Sequence, residues 1–255
     1  MDVLAIGLLA FAAVGYFVLA GTDLGTGMML FFLGRDPAER RLVIAAFAPF
    51  FLANEIWLVL TAGLLVGLFH ELEGELFGAL SGTIAALLAG WVVRDVGLWL
   101  RGRLDAPRWR LFWDGAITAG SWTVTGAWGW IVGSVLLYRL DPETSPFPLI
   151  GVAASWALFA LHGLAFASLR LHGAPHSRAR TVTGPSGEQV TFAFTTVGMV
   201  VIPLALGARL PLRDTVTESA EFVAGSTAVL LPVLVAAQIW TWWIFRHRVT
   251  APSYL

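Results

Sequence analysis

The chain has 255 residues, of which 57% are hydrophobic and only 13% charged, about half the charge expected of a soluble domain. That leaves too little polar surface for a water-soluble globule and makes the bilayer the expected solvent. The absence of cysteine excludes disulfides, thiolate metal sites, iron–sulfur clusters and a CxxCH haem attachment. The net charge is −1 and all sixteen basic residues are arginine, so the information lies in where the charges fall.

A transmembrane helix needs roughly 20 apolar residues to cross about 30 Å of hydrocarbon. Seven segments qualify in chain order, near residues 3–30, 43–69, 76–100, 115–138, 148–170, 190–208 and 222–245. Backbone groups in lipid must bond internally, so the expected fold is all-α: a polytopic membrane helix bundle of about seven transmembrane helices. The opening MDVLAIGLLAF carries Asp2 where a secretory leader has positive charge, and it is read as the first span. Pro203 and Pro232 are expected to kink the last two spans unless neighbouring groups accommodate them.

The connections alternate in sign. GRDPAERR, RGRLDAPRWR, RLHGAPHSRAR and FRHRV are rich in arginine, whereas HELEGE, LDPETS and RDTVTESAE are acidic. The excess of arginine on cytoplasmic loops then puts the N-terminus outside and the C-terminus in the cytoplasm. Trp99, Trp109, Trp113, Trp240, Trp242 and Trp243 fall near the inner interface, as an aromatic belt does. The longest connection, Leu171 to Gln189, is rich in Gly, Pro and Ser and is expected to be flexible.

Few polar residues lie within the spans. In VLAGTDLGTGMM, Asp23 sits near the cytoplasmic boundary, and the Gly21/Gly25 pair, extended by Gly27, lets another helix approach beside it. Asp23 is either an interfacial residue tied to an arginine or amide, or part of a proton pathway. Glu55, taken about 20 Å into a helix entering near Leu42, is expected near mid-membrane. There it is a proton-relay candidate or a protonated residue bonded to Asn54 or to another helix. Arg94 lies at the depth of Asp23 and is the expected electrostatic partner, in a structural salt bridge. Asp114 is expected to cap the fourth span, with proton entry as its second reading. His162 is read first as a hydrogen-bonded structural residue and second as a haem ligand. No nucleophilic triad, nucleotide loop or multi-histidine metal site is present, so no catalytic or metal-binding residue is assigned.

Several short stretches then resemble subunit II of the cytochrome bd-type quinol oxidases. They are DLGTGM (Asp23 to Met28), FLGRDPAERR (Phe32 to Arg41), Ala48–Pro49, Asn54, Trp57–Leu58 and Arg94 with Val96–Gly97. RWR at Arg108–Arg110, Trp113 to Gly115 and Gly120–Ser121 continue the series. The likeness is good over about the first 140 residues and weaker beyond, through Pro146–Phe147, Gly163 and the Arg170 loop.

The resemblance implies a multi-pass protein of a bacterial or archaeal plasma membrane. It would bind no cofactor itself and pack against a haem-bearing subunit I, which holds haems b and d, or b alone. The complex would oxidise quinol, reduce oxygen to water and build a proton-motive force. Implied partners are subunit I, small accessory subunits, membrane lipid and quinone, with no nucleic acid. A proton-coupled transporter, or the partner of a related complex reducing another small oxide, is the alternative.

The family pattern of two four-helix bundles implies one membrane domain over 1–255, with a first bundle at 1–140 and a second, incomplete one at 146–248. The chain departs from the family where APHWDGNQVWL is usual. Here APFFLANEIWL places Phe50 and Leu52 at the His and Asp positions and Glu55 at the Gln position. Leu52 and Glu55 share a helix face, so the acid is expected to have moved by one turn. The proton-pathway candidates are therefore Asp23, Glu55 and Asp114.

Overall fold

The computed structural model describes residues 2–136, 147–217 and 220–251. The expected boundary between two bundles, at residues 140–146, lies outside the described residues. The described residues form helices joined by short turns, with no strand among them. In chain order they are α1 (Asp2–Met28), α2 (Leu30–Leu33), α3 (Pro37–Phe47), α4 (Phe51–Leu68), α5 (His70–Ala79) and α6 (Ser81–Leu100). Then come α7 (Pro107–Leu136), α8 (Phe147–Arg170), α9 (Gly173–Thr183), α10 (Glu188–Gly207) and α11 (Ala220–Ile244).

Among the described residues six helices are long and apolar enough to cross a membrane: α1, α4, α6, α8, α10 and α11. The protein is thus an all-α, multi-pass membrane bundle. Their outer faces carry exposed Val, Leu, Phe and Trp, among them Val92, Phe194, Val229 and Trp240, the pattern of helices solvated by lipid. The expected fourth span, α7, is less apolar because Gly, Ser, Thr and Trp recur along it. It nevertheless connects the same two ends of the bundle. Near its start Asp114 bonds Arg40 and Arg101, and near its end Gly133 lies on Phe147 and Pro148, where α8 begins. It is flanked by α6 and α8, and its small residues serve that close packing.

The hub of the bundle is α1, which packs on α4, α7, α8, α10 and α11. At its closest contact Gly25 lies on Gly163 of α8: a Cβ on Gly25 would come within 1.9 Å of the Phe159 carbonyl oxygen. The close approach expected of the glycine pair beside Asp23 is therefore made by α8. Gly21 faces His162 of the same helix. Interhelical hydrogen bonds cross these seams, from Thr26 to the Gly163 carbonyl at 3.1 Å and from Ser155 to the Thr125 carbonyl at 2.8 Å.

Three expected boundaries are corrected. The second span is not continuous from residue 43. It breaks at Ala48–Phe50, because Pro49 has no N–H to continue the α3 ladder, and α4 starts afresh at Phe51. The third span starts at Ser81, after the separate α5. The connection after α8 is not simply flexible but contains α9. Its Arg178 holds Glu39 through two bonds of 2.8 Å and also donates to the Leu33 carbonyl, while Ala179 is buried. Gly184 (φ +79) ends α9 in a conformation open to glycine. At its other contact, α3 is capped by Asp36, which accepts from the amides of Ala38 and Glu39 at 2.9 and 2.8 Å. Pro203 and Pro232 lie within uninterrupted helices.

Two outcomes follow. Gly25→Val should destabilise the bundle by about 3 kcal/mol or more, because backbone atoms cannot yield to the added side chain. Gly7→Ala, where nothing lies within 4 Å, should be nearly neutral; equal thermal unfolding of the two variants in detergent would count against the contact. The hydrogen bonds from Arg178 hold the Glu39 carboxyl down to about 2, from an ordinary 4.5. Because the folded value lies below the unfolded one, the docking it contributes is present above about pH 4.5 and lost as pH falls towards about 2. Amide exchange in α9 should accelerate across that window, and in Glu39→Gln it should be fast at neutral pH; exchange indifferent to both changes would contradict the docking.

Candidate functional site

The polar residues of the spans gather into two buried groups at the arginine-rich end of the bundle. The first is centred on Arg94 of α6, whose side chain is 1% exposed. It lies where α6 and α7 touch: a Cβ on Gly120 would come within 2.8 Å of the Arg94 backbone nitrogen and Cβ. Its guanidinium lies 5.8 Å from the centre of the Phe51 ring. One end of the fork donates to Asp23 of α1. The other donates to Glu55 of α4 at 3.2 Å and to Asp95 at 2.9 Å.

One cation thus serves three carboxyl groups. If all three were ionised the group would carry a net charge of −2 in a region with little water. Acids this close exchange protons as a unit rather than singly. Asp23 is sealed at 1% exposure, whereas Glu55 and Asp95 keep 12% and 22% of their side chains accessible. The group is buried on the α1 side and open on the α4/α6 flank.

The pairing of Asp23 with Arg94, expected from their depth, is made. Glu55 differs from expectation in two respects. Because α4 starts at Phe51, it lies in the first turn and a half of the helix rather than at mid-depth. It also has a cation for a partner, since Arg94 reaches it. Nor does Asn54 serve Glu55: adjacent helical side chains diverge, and Asn54 turns inward. Its amide donates to the Leu19 carbonyl at 3.0 Å and to Asp23 at 3.5 Å. Gln238 of α11 donates to the Asn54 side-chain oxygen at 2.9 Å and accepts from the Trp57 indole at 3.2 Å. Leu52 is 52% exposed, beside the flank that Glu55 borders.

The second group holds Asp114. Since α7 begins at Pro107, Asp114 lies two turns inside the helix and is no cap. It is fully buried, accepting from Arg40 of α3 at 2.8 Å and from Arg101 at the end of α6. Arg40 also reaches the Arg35 carbonyl at 3.3 Å. The carboxyl therefore ties α3, α6 and α7 together. Arg101 follows Arg94 by two helical turns, about 10.5 Å along α6, so the two groups lie along one face of that helix.

His162 is hydrogen-bonded through both ring nitrogens. Its Nε2 faces the Val18 carbonyl oxygen at 3.0 Å and therefore donates, and its Nδ1 meets the Thr195 hydroxyl at 2.9 Å. Both nitrogens are engaged in tying α8 to α1 and α10. Among the described residues no cluster of His, Cys, Asp and Glu has metal-binding geometry.

Gln238, Arg40 and Arg101 were not singled out from the sequence. Gln238 had a signal, an amide within the apolar run LVAAQIW. Arg40 and Arg101 have the pattern of ordinary loop charges, and only the packing of α3 and α6 against α7 buries them.

The family model for cytochrome bd terminal oxidase subunit II matches residues 1–213. Among proteins similar to the chain, cytochrome bd-I ubiquinol oxidase subunit 2 of Escherichia coli (strain K12) is 27% identical over 204 residues, covering 74% of this chain and 54% of the relative. Cytochrome bd ubiquinol oxidase subunit 2 of Bacillus subtilis (strain 168) is 28% identical over 226 residues, covering 78% of this chain and 66% of the relative. The chain spans about half the length of the first of these and two thirds of the second. Because the match begins at residue 1 and takes in α1 to α10, with both buried charge groups inside it, the chain belongs to the cytochrome bd terminal oxidase subunit II family.

Proposed function

We propose that this chain is the haem-free subunit II of a cytochrome bd-type quinol oxidase in the plasma membrane. In this reading it packs against a haem-bearing subunit I, which takes electrons from membrane quinol and reduces oxygen to water; small accessory subunits and lipid complete the assembly. The haems, b and d or b alone, belong to that partner and supply the electron transfer. The residues of this chain hold the partner and handle protons.

The observation that carries the reading is the Arg94 group. Glu55 and Asp95 open onto a flank that is otherwise apolar, where Leu52, Ile56, Val92 and Val96 are exposed. Carboxyls facing hydrocarbon are costly and normally turn to protein or water. The α4/α6 flank therefore suits a protein partner better than lipid, and a coupled acid group at such a seam is fitted to pass protons across it.

With the arginine-rich end in the cytoplasm, protons reach the group from inside. Quinol oxidation on the opposite side, with proton uptake here, builds a proton-motive force. In this scheme Glu55 and Asp95 exchange protons at the seam, and Asp23 sets the position of Arg94 with help from Asn54 and Gln238. Asp114, also a candidate proton residue, acts mainly by holding α3 and α7 against α6. Glu55 takes over, one turn along, the task of the acid that the resemblance puts at Leu52.

Glu55→Gln in the assembled complex should slow quinol-driven oxygen consumption by roughly a hundredfold and leave the haem spectrum unchanged; an unaltered rate would dispose of the proton role. Arg94→Gln leaves three carboxyls without their cation and should cost about 3–5 kcal/mol, seen as loss of assembled complex. The natively purified complex should carry haem, with a d-type band in its visible spectrum or b-type bands alone. A complex without haem would end the oxidase reading.

A further inference from the structure

At the same arginine-rich end, away from the Arg94 group, is a cavity of about 750 Å³. It lies among the start of α4, the ends of α8 and α11, and the start of α10. One wall is aromatic, built from Phe50, Phe166, Trp242 and Phe245; Phe50 stacks at a tilt on Trp242 with ring centres 5.1 Å apart. Another wall is basic, with Arg170, Arg246 and Arg248 against the single carboxylate of Glu188.

Arg170 is the informative residue. It is 6% exposed, lies 5.3 Å from the Phe50 ring centre, and donates to the His247 carbonyl, but its Nε has no hydrogen-bond acceptor. No carboxylate pairs with it among the described residues. Glu188 is already engaged, by Arg248 at 2.5 Å and His176 at 2.6 Å. Among the described residues Arg246 also lacks an acid, and it donates to the Trp243 carbonyl at 2.8 Å. A buried cation without an anion is costly.

The N-terminus of α10 opens into the same space through Gly187, Glu188, Gln189 and Val190. No side chain caps it, so its first amides are free to donate to an anion. Anionic and aromatic recognition thus converge at the end of a lipid-facing helix: Val190 is 65% and Trp243 61% exposed.

We propose that this cavity binds an anionic phospholipid, its phosphate between Arg170, Arg246 and the α10 amides and its upper acyl chain along the aromatic wall. A phosphate there supplies the anion that Arg170, a lining residue, lacks among the described residues. The aromatic wall selects a phosphate that carries a chain over one that is free. The proposal does not depend on the oxidase reading, since the pocket lies wholly within this chain.

The test is lipid binding by the full chain, in whatever complex it purifies, read by native mass spectrometry after delipidation. Titration with dioleoylphosphatidylglycerol should give a saturable adduct that survives excess dioleoylphosphatidylcholine and inorganic phosphate. Arg246→Gln, which removes one bond and one ring contact, both to Trp243 in its own turn, should weaken it roughly fivefold. Arg170→Gln should abolish it, and the Arg246 variant keeps the test decisive if the Arg170 variant fails to fold. Equal binding of phosphatidylcholine, displacement by inorganic phosphate alone, or unchanged phosphatidylglycerol binding in Arg246→Gln would each overturn the proposal.

Discussion

A single buried guanidinium organises this bundle. Arg94 is reached from α1 by Asp23 and from α4 by Glu55, and it holds Asp95 on its own helix. Helices in lipid gain little from hydrophobic attraction to one another, so a charge that must be matched internally becomes a strong determinant of which helices meet. Removing Arg94 would leave three carboxyls stranded away from water. The same requirement recurs two turns along α6, where Arg101 and Arg40 share Asp114. The two groups have opposite imbalances: acids outnumber cations in the first, and cations outnumber acids in the second.

Close backbone contact makes this arrangement possible. Arg94 reaches Asp23 and Glu55 because α6 and α7 meet at glycine, and α1 can stand at the centre because Gly25 and Gly163 let α8 lie against its backbone. The polar connections extend the frame outward: Asn54, Gln238 and Trp57 carry it to α11, and His162 carries it to α10. Apolar packing, small-residue seams and hydrogen-bonded side chains thus act on the same helices, which gives a defined structure in a solvent where no one of them suffices.

The unequal exposure of the acids gives the Arg94 group a direction. Asp23 is sealed inside the bundle, while Glu55 and Asp95 border its flank. A structural ion pair needs no such opening. The chain belongs to the subunit II family, and under the function proposed above this open flank is where a partner subunit would meet the acids. The basic cavity at the end of α8 is a separate device: it has cations to spare, an aromatic wall and no share in the Arg94 group.

The all-α membrane class and the pairing of Asp23 with Arg94 were legible in the linear sequence, and most spans were legible to within their boundaries, because each depends on local quantities: length of apolar runs, the 1.5 Å rise per residue and the cost of charge in lipid. The Gly21/Gly25 pattern also announced a close contact, although not that α8 would make it. What only the tertiary structure decided depends on distant residues. Arg40 and Arg101 looked like loop charges until the packing of α3 and α6 against α7 buried them around Asp114. Glu55 is expected near mid-membrane until the break at Pro49 brings it within reach of Arg94, and the 171–189 connection is expected to be flexible until Arg178 meets Glu39. A sequence shows that a buried charge must be matched; which residue matches it is settled by how helices far apart in the chain come together.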